Sequence, residues 1–272
     1  MKINKIFSLF IGLMILMVSA CDPIVDEQSL KNTTDVAGVE LIATQSTPGG
    51  NKIELLMATP GITGYWNYNL GTALTDRVEI VYPIPGKATF TYIGTLGAEF
   101  FTKTIDVQID VLDTRLEQDW YDLVSENTAA GKTWVFAGGP APDGKKWWYM
   151  SPPNDQASWG TAWWNAAGDC CPPSDAAGSM KFDLNGAANF TYKSGPGATE
   201  VKGSFILNTA DKTLKISGAN LLGNEGCGAN TDNFYTIISL TEDEMILYVP
   251  LATGPGGCYT GWTWIFKAQE DL

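Results

Sequence analysis

The sequence contains no histidine. That absence excludes a Ser-His-Asp triad, a Cys-His pair and every His-ligated zinc site, since each depends on an imidazole. Basic residues are scarce as well: 17 Lys and Arg stand against 30 Asp and Glu, a formal charge of −13. Such a surface repels phosphate backbones and anionic headgroups, so no nucleic acid is expected as a partner, and a neutral ligand fits better than a polyanion. No long stretch repeats its apolar residues at the helical period, and no C-x-x-C occurs. Glycine, threonine and aromatic residues are plentiful, which is the composition of an all-β protein.

The first 20 residues have the three parts of a secretory signal. Lys2 and Lys5 supply the positive region, Ile6 to Val18 is an apolar run broken only by Ser8 and Gly12, and Ser19 and Ala20 are the small residues before the cut. The run is shorter than the ~20 apolar residues of a comfortable membrane-spanning helix. Val18-Ser19-Ala20-Cys21 resembles a bacterial lipobox. The resemblance implies that Cys21 is lipidated and holds the chain to a membrane, at ~0.8 kcal/mol per buried CH₂; the alternative is an ordinary signal with a chance cysteine. Loss of Lys2 and Lys5 takes the net charge from −13 to −15. Residues 21–34 then read as a tether too polar to fold alone. Its start, Asp22-Pro23-Ile24-Val25-Asp26-Glu27, resembles the surface-export signal of Gram-negative lipoproteins with large glycan-uptake systems, which implies an outer-membrane, cell-surface location.

Four cysteines remain: Cys170, Cys171, Cys227 and Cys258. An even number in an exported chain points to disulfides. Adjacent cysteines rarely bond to each other, because the bridge strains the peptide between them. The sequence therefore favours Cys170 and Cys171 each pairing with Cys227 or Cys258, with a Cys₄ metal site as the alternative.

Strand-like runs and turn residues divide the rest into two β domains, 35–113 and 132–272, joined by a linker over 114–131. Within the linker, Leu116, Trp120 and Leu123 would share one face of a short helix. The first domain holds six or so short strands, which suggests an immunoglobulin-like sandwich. Trp66-Asn67-Tyr68-Asn69-Leu70-Gly71, followed by Val81-Tyr82-Pro83-Ile84-Pro85-Gly86-Lys87-Ala88-Thr89-Phe90, resembles a PKD-type domain. That resemblance implies a spacer; Trp66, Tyr68 and Tyr82 read as core residues, with ligand contacts as the alternative. In the second domain, runs separated by Asn185-Gly186, Asn208 to Lys212 and Thr241-Glu242-Asp243 suggest consecutive hairpins. They predict a larger antiparallel β-sandwich or an up-and-down barrel, with Met245 to Val249 and Gly261 to Lys267 as the closing hairpin.

Tryptophan is concentrated between residues 134 and 164. Trp134 reads as core. Trp147-Trp148-Tyr149 precedes Ser151-Pro152-Pro153-Asn154-Asp155, and Trp159 and Trp163-Trp164-Asn165 follow. Neighbours in a strand point to opposite faces, so one ring of each Trp-Trp pair can enter the core while the other faces out. Residues 151–175, rich in Pro, Gly, Asn and Asp, read as a long and therefore functional loop. Exposed indoles suit the C–H face of a pyranose, and Asn154, Asp155, Gln156 and Asn165 offer partners to its hydroxyls. The alternative is that these rings pack the loop onto the barrel. Lys132-Thr133-Trp134-Val135-Phe136, with the aromatic stretch and Pro-Pro-Asn-Asp, resembles the C-terminal domain of surface lipoproteins encoded beside glycan-uptake systems. It implies a non-catalytic protein that captures a neutral polysaccharide beside an outer-membrane glycan transporter complex. A structural or adhesive lipoprotein docking a partner protein is the second reading. A retaining glycosidase needs two carboxylates about 5–5.5 Å apart, and Glu242-Asp243-Glu244 sits in a hairpin turn instead. No cofactor is expected; Asp143, Asp155, Asp169 and Asp175 lie in loops and offer a Ca²⁺ ion as the alternative, although EF-hand-like spacing is absent.

Overall fold

The computed structural model describes residues 38–97, 99–138 and 146–269. The signal segment 1–20, Cys21, the tether 21–34 and Asp143 lie outside the described residues.

The first domain forms β1 (Leu41–Gln45), β2 (Lys52–Met57), β3 (Thr63–Asn67), β4 (Thr72–Ala73), β5 (Arg77–Val81), β6 (Gly86–Leu96) and β7 (Glu99–Ile109). They pair as two antiparallel sheets, β1-β2-β5 and β4-β3-β6-β7, in the manner of an immunoglobulin-like sandwich. The period of two in each strand decides what is buried. Ile53, Leu55 and Met57 of β2 and Ala88, Phe90 and Tyr92 of β6 are all buried in the core. Trp66 is fully buried with its ring edge-on to Tyr92 at 5.2 Å, and its Nε1 donates to the Asp76 carbonyl at 3.1 Å. Tyr82 packs edge-on to Phe90, also at 5.2 Å. Trp66 and Tyr82 are thus core, whereas Tyr68 is only half-buried at the margin.

Helix α1 (Gln118–Val124) follows, and Leu116, Trp120, Leu123 and Val124 are all buried. They pack on one end of the second domain: Trp120 lies 6.2 Å from Phe205, and the Leu123 carbonyl accepts from Trp134 Nε1 at 2.9 Å. Lys212 pairs with Asp119 at 2.5 Å at the same end.

The second domain consists of β8 (Lys132–Phe136), β9 (Lys146–Ser151), β10 (Trp164–Ala167), β11 (Ser179–Asp183), β12 (Asn189–Lys193), β13 (Val201–Asn208), β14 (Thr213–Ser217), β15 (Phe234–Leu240), β16 (Glu244–Val249) and β17 (Gly261–Ala268). β11 to β17 form an antiparallel meander, and β8 closes it by pairing with both β11 and β17. The result is an eight-stranded up-and-down barrel, whose interior at this strand number is just wide enough for side chains to fill. It is filled: Trp134, Phe182, Phe190, Tyr235, Trp264 and Phe266 are among its fully buried residues. The β16–β17 closing hairpin stands where the sequence puts it, running from Glu244↔Lys267 to Val249↔Trp262. Residues 151–175 are not one loop, since β10 lies within them and pairs with β9.

Candidate ligand-binding site

One side of the barrel wall is taller than the rest. β8 pairs with the second half of β17 (Phe136↔Phe266), and β9 pairs with its first half (Trp148↔Trp264, Ser151↔Gly261). β9 therefore continues the line of β8 towards the rim opposite α1, and β10 folds back along it as the outermost strand.

Alternation sorts the aromatic residues of this hairpin onto two faces. Trp148, Met150 and Trp164 lie on the face continuous with the barrel interior: Trp164 is opposite Met150, Met150 opposite Trp262, and Trp148 opposite Trp264. Trp148 is half-buried and stacks on Trp262, with centroids 4.3 Å apart and planes at 27°. Trp164 is the diagonal neighbour of Trp148, a relation that spans about 7–8 Å. It is 55% exposed, and Trp163 before it is 60% exposed.

Tyr149 and Asn165 lie on the outer face, and Trp147 falls at a register shift between β9 and β10, where the alternation is interrupted. Trp147 is buried against Phe136, and its Nε1 donates to the Gly168 carbonyl at 2.7 Å. Tyr149 is buried edge-on to Trp159 at 6.0 Å, and the Lys146 ammonium sits 4.6 Å from the Trp159 ring centre. Asn165 Nδ2 donates to the Trp159 carbonyl at 3.2 Å. A cleft of about 430 Å³ opens here, lined by Lys146, Gln156, Trp159, Glu244, Ile246 and Ile265. Asn154 and Asp155 are exposed in the connection from β9 to β10, where the Asn154 N–H donates to the Pro250 carbonyl at 2.8 Å.

The sequence-derived residues therefore do not share one surface. Trp148, Trp163 and Trp164 offer rings at the rim, whereas Trp147 and Tyr149 are packing residues beneath it. Trp147 is buried and Trp148 half-buried, so neither ring of the first Trp-Trp pair faces fully outward. Both rings of the second stay out, because Trp163 precedes the ladder and β10 is the outermost strand.

The disulfides join Cys170 to Cys171 and Cys227 to Cys258. This corrects the pairing expected from sequence. The connections 218–233 and 250–260 already bring Cys227 to Cys258, whose N–H donates to the Cys227 carbonyl at 3.4 Å, and so leave the adjacent pair to each other. Some strain remains there. Cys171 takes φ 61 directly before Pro172, two disfavoured conditions for a residue with a Cβ, of order 1–3 kcal/mol.

Sequence reasoning passed over the residues that hold the rim loops together. The buried Asp175 carboxylate accepts from the Gly223 N–H at 3.0 Å and from the Tyr192 hydroxyl at 3.0 Å. Burial pushes its pKa above the usual aspartate value; these hydrogen bonds oppose the shift and the nearby Glu225 charge adds to it. Glu225 in turn accepts from the Ser174 N–H at 2.6 Å. Asn224 donates to Asn233 at 2.8 Å and accepts from the Asn230 N–H at 2.6 Å, which braces 218–233 internally. The signal available was the Asn- and Gly-rich run between two alternating strands. Beneath it, Gly228 lies directly on Trp262 and Trp264. Among the described residues no group of three His, Cys, Asp or Glu side chains is placed to hold a metal ion.

No protein-family model matches this chain, and no curated protein matches it either.

Proposed function

We propose that the chain is a non-catalytic, lipid-anchored surface protein that binds a neutral polysaccharide at the barrel rim through Trp148, Trp163 and Trp164. The observation that carries this reading is the pair of indoles at Trp163 and Trp164, both more than half exposed at the start of the outermost strand. An indole costs free energy to leave in water, and its face accepts the C–H face of a pyranose. Asn154 and Asp155 lie in the adjoining connection and would partner hydroxyls. The acidic charge suits a neutral glycan. A lipid on Cys21 would hold the chain at the outer membrane, facing outward beside a glycan transporter. The rim lies at the end of the barrel opposite α1, which supports binding there.

The test is native gel retardation of the full chain on a panel of neutral polysaccharides, followed by calorimetry. Retardation by at least one glycan, lost in the Trp163→Ala/Trp164→Ala variant with its far-UV circular dichroism unchanged, is the expected result. A broad panel without retardation overturns the reading. Among the described residues β10 pairs on one side alone, and that edge favours a second reading, a structural or adhesive role in which a partner protein adds a strand there. A protein captured by the wild type and lost with the same two substitutions would support that instead.

A further inference from the structure

We propose that the Cys170–Cys171 disulfide is a positioning element: it sets the ring of Trp148 and, through it, the aromatic platform of the rim. The purpose of this device rests on the glycan reading, but its existence does not.

Trp148 is held at two points. Its face stacks on Trp262 at 4.3 Å, and its Nε1 donates to the Cys171 carbonyl at 3.0 Å. Trp262 is itself fixed, being buried beneath Gly228. The other anchor is a backbone carbonyl in an exposed turn, so its position depends on what holds the turn. The same turn also holds the neighbouring indole of β9, since the Gly168 carbonyl accepts from Trp147 Nε1 at 2.7 Å. Residues 168–171 thus clamp both rings of the Trp147-Trp148 pair.

The backbone of this turn is one an open chain avoids. Gly168 and Cys171 have φ of 59 and 61. Glycine tolerates that conformation. Cys171 has a Cβ and precedes Pro172, and both features favour an extended backbone. Relaxation towards that conformation would swing the Cys171 carbonyl away from Trp148. The bond between the adjacent cysteines closes the turn covalently and prevents this. Both cysteines are exposed, so filling the core does not account for them, whereas Cys227–Cys258 ties two rim loops together across 31 residues.

The experiment uses the full chain and the near-ultraviolet circular dichroism couplet of the stacked Trp148–Trp262 pair, assigned by its loss in Trp262→Phe. Two variants are compared with wild type: Cys170→Ala/Cys171→Ala, and Cys170→Ala/Cys171→Gly, which keeps a residue at ease with positive φ but removes the bond. Both are expected to lose most of the couplet while the far-UV spectrum is retained, and to bind a retarding polysaccharide about tenfold more weakly, the scale of one re-mobilised side chain. A full couplet in the glycine variant overturns the proposal, because the turn then needs only the conformation and not the bond. That variant decides the matter if the alanine variant does not fold. The couplet requires no ligand. A lost couplet with no glycan bound by any form would sink the glycan reading and leave the positioning role standing.

Discussion

Gly228→Ala tests whether the 218–233 connection is seated on the barrel's tryptophans. A Cβ built on Gly228 falls 2.4 Å from Cζ2 of Trp264 and 2.8 Å from Nε1 of Trp262, both closer than real Cβ atoms come. Neither ring can swing aside. Trp264 packs on Phe136 at 5.9 Å and on Trp262 at 5.5 Å, and Trp262 is stacked on Trp148. The connection must therefore lift by about an ångström, which places the cost with other overpacked sites at about 1–3 kcal/mol. In a domain of this size each kcal/mol lowers the melting midpoint by about 2–4 °C. The assay is thermal unfolding of the full chain followed by tryptophan fluorescence, with Gly226→Ala as the comparison. Gly226 has φ 53 and no atom within 4 Å of its added Cβ, so its variant carries only a backbone cost of about 1–2 kcal/mol. Gly228→Ala should lower the midpoint by several degrees and red-shift the native emission, and Gly226→Ala should leave the emission unchanged. Wild-type midpoint and emission in Gly228→Ala would refute the packing described for Trp262 and Trp264.

Three further outcomes are expected. Trp147→Ala should destabilise the barrel by about 3–5 kcal/mol in denaturant unfolding, since the ring is buried, whereas Trp164→Ala should change stability by less than about 0.5 kcal/mol and act only on polysaccharide retardation. Removal of Cys227 and Cys258 together, as alanines, should cost about 3–4 kcal/mol by loop-closure entropy over a separation of 31 residues, measured as a lowered urea midpoint. Asp175 has a folded pKa above its unfolded value, with burial as the leading cause. Its contribution to stability is therefore fully present below about pH 3.9 and is lost as pH rises through the raised folded value. Asp175→Asn removes that dependence, so wild type should lose stability relative to the variant between acid and neutral pH; a constant difference in unfolding free energy across that range would contradict the assignment.

Much of the barrel was legible because its turns are local. Asn185-Gly186 and Thr241-Glu242-Asp243 encode their own reversals, and the strands between them alternate cleanly, so the meander and its closing hairpin follow from neighbours in sequence. The buried Trp134 and Trp66 follow from the same alternation. β10 was hidden for the opposite reason. Trp164-Asn165-Ala166-Ala167 has weak strand propensity and sits among Gly, Pro and Asp, so only pairing with β9 makes it a strand. The division of the aromatic residues between two faces depends on that register, which no local signal carries. The cysteine pairing depends likewise on two distant loops meeting at Cys227 and Cys258, and a strain argument about one peptide bond could not weigh that. The seat of Gly228 on two tryptophans is a contact of the same long-range kind.

β17 has a consequence for the order of folding events. It serves three neighbours at once: β16 along its length, β8 over its second half and β9 over its first. Until it docks, β8 has no partner across the closure and the β9–β10 hairpin has no register against the barrel. Long-range pairing of this kind forms slowly, because the chain entropy of loop closure is lost before the contacts reward it. Barrel closure and assembly of the aromatic rim should therefore appear in refolding as one late kinetic phase, with no intermediate that displays the rim on an open sheet.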